Sequence, residues 1–175
     1  MTEQFSLGYN FTIVCSYIHK LFCQTKISMP RTAIVGIGNL MKADDGAGMV
    51  MTAALKERLA GFSEIRTYET GTAPENHLSA IIAFKPEIIY LIDAADFNGE
   101  AGEFKLFPAH QVKSQGFSTH AISISLVIQF LKLQTKAEIF LLAIQPEEIS
   151  TREGLSARVK AGTNEAIIFL EKKCK

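Results

Sequence analysis

Thr32-Ala33-Ile34-Val35-Gly36-Ile37-Gly38-Asn39-Leu40-Met41-Lys42-Ala43-Asp44-Asp45-Gly46 is the stretch on which the fold turns. Its first six residues, Thr32–Ile37, are apolar or β-branched with no alternation, the pattern of a strand buried on both faces of a parallel sheet. Gly36 and Gly38 flank the strand's end, where glycine permits positive φ and close approach of another group. Beyond the loop, Ala47–Leu59 places Met51, Ala54, Leu55 and Leu59 on one helical stripe. Strand, glycine turn and helix in that order open a doubly wound α/β unit.

The same alternation continues to the C-terminus. Glu64–Tyr68 reads as a second strand and Pro74–Phe84 as a short helix, with Pro74 suited to its first turn and Pro86 beyond its end. Glu87–Ile92 is a third, wholly apolar strand, and Phe104–Phe107 a short one introduced by Gly99 and Gly102. His120–Leu133 is a helix capped by Ser118 or Thr119, Glu138–Ile144 another apolar strand, and Leu155–Lys172 a closing helix. The expectation is a three-layer α/β/α domain. Its twisted five-stranded sheet has order 2-1-3-5-4 and helices on both faces. The strand at Phe104 is the antiparallel member, because no crossover separates it from strand three.

The chain has 175 residues, 47% of them hydrophobic, enough for one domain with its own core. That domain is assigned to residues 29–175. Residues 1–28 show no clear period and are expected to be either an N-terminal appendage or an upstream stretch included by a mistaken start codon. Eighteen basic residues balance eighteen acidic ones, which argues against nucleic acid as the partner. No apolar run reaches the roughly eighteen residues needed to span a bilayer. Three scattered cysteines make no disulfide framework, and a cytoplasmic monomer is expected. Cys15, His19 and Cys23 have ligand-like spacing, but a fourth zinc ligand is missing.

Three short stretches carry chemistry-bearing residues to the places where such folds collect them. Asp44 and Asp45 precede the first helix, and the plain expectation is that at least one caps it. Asp93 follows the third strand, where a carboxylate must be solvated, hydrogen-bonded or metal-bound, or else cap a turn. His120 opens an apolar helix, whose dipole favours the neutral imidazole that binds metals. With strand order 2-1-3, Asp45 and Asp93 face one solvent-open crevice at the switch point and His120 reaches its rim. Oxygen, oxygen and nitrogen donors suit a borderline divalent ion such as nickel or zinc. Asp45 is expected to be the mobile, loop-borne carboxylate and Asp93 the anchored one. His19, His77 and His110 do not join this set. Gly36-Ile37-Gly38 is also half of a dinucleotide fingerprint, with Glu69 as the ribose-binding acid. Met41 stands where the third glycine belongs, and two carboxylates would repel a pyrophosphate.

Taken together, Gly36-Ile37-Gly38-Asn39-x4-Asp44-Asp45-Gly46-Ala47-Gly48, Gly71-Thr72-Ala73-Pro74-Glu75-Asn76, Ile92-Asp93-Ala94, Ser118-Thr119-His120 and Ala143-Ile144-Gln145-Pro146-Glu147 resemble the endopeptidases that mature nickel-iron hydrogenases. The Ala-Pro-Glu-Asn stretch resembles the branch serving formate-hydrogenlyase-type hydrogenases. The resemblance implies Asp45, Asp93 and His120 as metal ligands, with Asp45 and Asp93 as the catalytic carboxylates. The nickel would be carried by the substrate, a hydrogenase large-subunit precursor that loses a C-terminal extension. It also implies substrate contact by Glu69, Thr70, Gly71 and Thr72, where many members have Asp-Gly-Gly-Thr; here the acid is lengthened and one glycine is lost. Two alternatives remain at this point: a non-catalytic nickel-checking chaperone on the same fold, and a dinucleotide-binding oxidoreductase.

Overall fold

The structure is a computed structural model that describes residues 29–112 and 121–175. Five strands form one sheet: β1 (Thr32–Gly36), β2 (Ile65–Glu69), β3 (Ile88–Ala94), β4 (Phe104–Pro108) and β5 (Glu138–Ile144). Their order is β2-β1-β3-β5-β4, as the sequence pattern predicts. All pairs are parallel except β4 with β5. The antiparallel strand therefore lies at the edge beside β5, reached from β3 by a loop that skips over β5.

Four helices cover the sheet: α1 (Ala47–Arg58), α2 (Leu78–Ala83), α3 (Ala121–Gln134) and α4 (Ala157–Cys174). The segment expected as a helix from Pro74 begins as a 3-10 turn, Pro74–His77, and becomes α-helical only at Leu78. Because side chains alternate along a strand, each central strand feeds two cores. Val35, Leu91 and Leu141 pack with Ile81 of α2 and with Val127, Ile128 and Leu131 of α3. Ile34, Ile92, Leu142 and Ile144 pack on the opposite face with Met51 and Leu55 of α1 and with Ala166 and Leu170 of α4. No described helix is long and apolar enough to cross a membrane.

One difference in strand length changes the setting of a key residue. β3 runs two residues past the expected Ile92, so Asp93 lies inside the strand, in register with Ala143 of β5. Asp93 shares the alternation of Ile89 and Leu91 and so points to the α2–α3 side. It is not a turn residue after the strand.

Helix α1 lies very close to the sheet at Gly48. A methyl group there would stand 2.3 Å from the carbonyl oxygen of Ile37 and 2.4 Å from that of Ile92. Helix, β1 and β3 are thus fixed together at the sheet's switch point, and both contacts are with backbone that cannot swing aside. Gly48→Ala should lower the free energy of unfolding by about 1–3 kcal/mol, as overpacking does. Gly61→Ala, with nothing within 4 Å of its added carbon, should stay within about 0.5 kcal/mol of the parent. Urea unfolding of the two variants checks the contrast.

Candidate active site

Loop 37–46 joins β1 to α1 and is knotted by its own hydrogen bonds. The Asn39 side chain accepts the Met41 N–H at 2.9 Å, and the Asn39 carbonyl accepts the Lys42 N–H at 3.0 Å. A 3-10 turn follows, Ala43–Gly46. At Gly38 φ is +133°, and a Cβ there would stand 1.9 Å from the carbonyl oxygen of Asp45. Gly38 is therefore needed so that the loop can fold back on the backbone of Asp45.

That fold-back buries Asp45. Its side chain accepts the Asn39 N–H at 2.8 Å, and the residue has no exposed surface. The carboxylate expected to be loop-borne and mobile sits in a closed hydrogen-bonded turn. Neither acid caps α1, whose N-cap is Gly46 with no side-chain cap bond. Asp44 instead turns to a loop a hundred residues away. Its Oδ2 accepts the N–H groups of Glu147 and Glu148, both at 3.0 Å, and its Oδ1 accepts that of Ser156 at 2.6 Å. Nothing local in the sequence points to these partners.

Asp93 is 1% exposed, and neither carboxylate oxygen has a hydrogen-bond partner among the described residues. Burial pushes its carboxyl well above the usual carboxylate range, and the charge of Asp45 beside it pushes the same way. The Ala94 amide favours the ionised form, but it does not meet hydrogen-bond geometry and the first two causes prevail. The pair was expected in a solvent-open crevice; both members are buried. β1 and β3 are adjacent, so the ends of the two strands do bring Asp45 and Asp93 together. His120, Ser118 and Thr119 lie outside the described residues, as do Cys15, His19 and Cys23. Among the described residues no three His, Cys, Asp or Glu side chains form a metal-holding group.

The loop after β2 is joined to the same corner. Thr70 donates its N–H at 3.0 Å and its hydroxyl at 2.8 Å to the Gly36 carbonyl, while Gly71 accepts the Gly38 N–H at 2.9 Å. Glu69 points elsewhere, forming an exposed ion pair with Lys56 of α1 at 3.0 Å. Thr72 lines one end of an apolar groove of about 580 Å³ between α2 and α3, which contains neither aspartate. Gln145, present in the sequence only as part of a motif, organises the loop after β3. Its side-chain oxygen accepts the N–H groups of Phe97 and Gly99 at 2.9 and 3.1 Å.

A doubly wound sheet of this kind hosts many chemistries, and the fold alone does not choose among them. The pattern of the hydrogenase maturation protease family HycI matches residues 49–172, and the chain belongs to that family. It is 30% identical over 112 residues to the hydrogenase 3 maturation protease of Escherichia coli, covering 63% of this chain and 70% of the relative. The crystal structure of a [NiFe] hydrogenase maturation protease HycI from Thermococcus kodakarensis is similar, with a TM-score of 0.73 at 30% identity. It covers 89% of this chain and 97% of that one. A second protease of that organism, HybD, has a TM-score of 0.68 at 28% identity, covering 83% and 99%. The protein is thus an endopeptidase of hydrogenase maturation.

Burial of Asp93 has a consequence for stability. In the unfolded chain its carboxyl ionises near 3.8, while in the folded protein burial holds the proton to higher pH. Between those two values the folded state binds more protons, so stability falls as pH rises. Asp93→Asn removes this penalty. The variant should melt above the parent at pH 7, and the gain should shrink as pH falls towards 4. Thermal melts across that range measure it.

Proposed function

We propose that Asp45, Asp93 and His120 recognise a nickel ion that arrives in the large-subunit precursor of a hydrogenase, held by the precursor's own thiolates. The protein then removes a C-terminal extension from that precursor in the cytoplasm. The observation that carries this reading is the buried acidic pair, one member of which has two oxygens without a hydrogen-bond partner among the described residues. Burying such a group costs free energy unless something compensates it, and a cation is the partner whose charge does so. His120 enters on the resemblance of Ser118-Thr119-His120 to the family motif and on its place directly before α3. The Asp93 side chain faces the α2–α3 side, which favours the same grouping.

The chemistry asked of these residues is modest. Coordination to the visiting nickel would hold the adjacent peptide bond beside the carboxylates, converting an encounter into an oriented complex. Water then adds to the carbonyl carbon, one carboxylate accepts its proton, and the leaving amine is protonated as the C–N bond breaks. Nickel beside the carbonyl oxygen would act as a Lewis acid. A cation next to Asp93 favours its ionised form, so nickel carried by the precursor would offset the burial that raises this carboxyl. Thr70 and Gly71 are assigned to the wall of the substrate site because they are bonded to Gly36 and Gly38, at the foot of the loop that carries Asp45, and Thr72 joins them as their neighbour in the chain. Glu69, paired with Lys56, is assigned to the rim.

Asp45→Asn, Asp93→Asn and His120→Ala should each slow processing of a nickel-loaded precursor by about a hundredfold or more, the usual loss when an acid–base or orienting group is removed. Electrophoretic mobility or mass of the precursor's C-terminus gives the rate. Parent-like rates in all three variants would end the proposal. A precursor prepared without nickel should remain uncut by the parent enzyme.

A further inference from the structure

The turn that carries Asp45 contains a residue in a conformation that alanine avoids. Ala43 has φ +45°, in the left-handed region where a Cβ crowds the following carbonyl. Such a residue persists only where its surroundings over-determine it. Here the surroundings are the loop between β5 and α4. Ala43 donates its N–H to the Arg152 carbonyl at 2.6 Å, and Arg152 returns its own N–H to the Met41 carbonyl at 3.1 Å. Asp44 then binds the same loop by its side chain, through three backbone N–H groups drawn from Glu147, Glu148 and Ser156. The carboxylate is fully buried and spans both ends of the loop. Hydrogen bonds to an ionised acceptor are roughly twice as strong as neutral ones, so this side chain is the strongest tie the turn has.

We propose that Asp44 is a positioning residue for the peptidase reaction: by clasping the β5–α4 loop it holds Ala43 in its strained conformation, and through it fixes the carboxylate of Asp45. This rests on the assignment of Asp45 to the reaction. The physical reason is direct. Asp44 and Asp45 are consecutive in a four-residue 3-10 turn, so they leave the backbone in different directions, one towards the distant loop and the other towards Asn39. When the clasp is lost, Ala43 relaxes out of the left-handed region, the turn unwinds, and Asp45 swings from its bond to the Asn39 amide. Asn at position 44 cannot replace Asp, because its NH2 group would meet an N–H donor where a carboxylate oxygen now accepts.

The test compares Asp44→Asn with the parent on a nickel-loaded precursor, below the melting temperature of both. A displacement on the order of 1 Å at a reacting group costs about a hundredfold in rate. Asp44→Asn should therefore lower kcat by about that factor while KM stays within about threefold. Core variants of the series Ile167→Val and Leu170→Ala, one chosen to melt at the same temperature as Asp44→Asn, should keep parent-like kcat. Adding Ala43→Gly to Asp44→Asn should recover about tenfold in kcat, because glycine holds φ +45° without strain. A role in global stability alone predicts no such recovery. Should Asp44→Asn fail to fold, Ser156→Pro supplies the test. Ser156 has φ −59°, which suits proline, and the ring removes one donor and displaces Asp44 from it. The inference is overturned if Asp44→Asn retains parent-like kcat, or loses no more than the core variant of equal melting temperature. Asp45→Asn run in parallel separates the two ideas. An inactive Asp45→Asn beside a fully active Asp44→Asn defeats the positioning role only. A fully active Asp45→Asn defeats the assignment on which it rests.

Discussion

Two carboxylates buried side by side set the terms for this molecule. Asp45 lies in the 3-10 turn beyond β1 and Asp93 in the neighbouring strand β3, with 0% and 1% of their surfaces exposed. Burial and mutual repulsion both disfavour the doubly charged state, so the native protein holds a proton there that the unfolded chain would release. The fold supplies the close packing that makes such an arrangement tolerable elsewhere. Gly48 lets α1 sit on the carbonyls of Ile37 and Ile92, and apolar clusters cover both faces of the sheet.

The site is held by segments far apart in the chain. Loop 37–46 is bonded to the loop after β2 through Thr70 and Gly71, and to the loop after β5 through Asp44 and Arg152. Three C-terminal strand ends thus become one rigid corner, the place where open α/β sheets gather their functional groups. The strain at Ala43 is localised in this corner and nowhere in the core. The remaining positive-φ non-glycine residues, among those described, are Lys85, after α2, and Asn98, in the loop after β3.

Much of this was legible in the sequence. Uninterrupted apolar runs such as Glu138–Ile144 identified central strands, because residues buried on both faces need no alternation. The antiparallel character of the strand at Phe104 followed from the missing crossover. Asp45 and Asp93 were recognisable as a pair because strand order alone brings the ends of β1 and β3 together. Other features were not legible. The two extra residues of β3, which bury Asp93, depend on pairing with Ala143 and Ile144. The capping role expected for Asp44 or Asp45 was displaced by longer-range donors, and Glu69 was drawn aside by Lys56 on α1.

The sequence by itself determined the alternation of strands and helices, the parallel sheet and the residue types at its switch point. Those features depend on local periodicity and on glycines whose backbone demands are intrinsic. Only the tertiary structure decided that the acids are buried rather than solvated, that Asp45 accepts the Asn39 amide, and that Asp44 reaches the β5–α4 loop. Burial and long-range hydrogen bonds are properties of what lies opposite a residue in space, and Ser156 stands opposite Asp44 only after the whole sheet has formed.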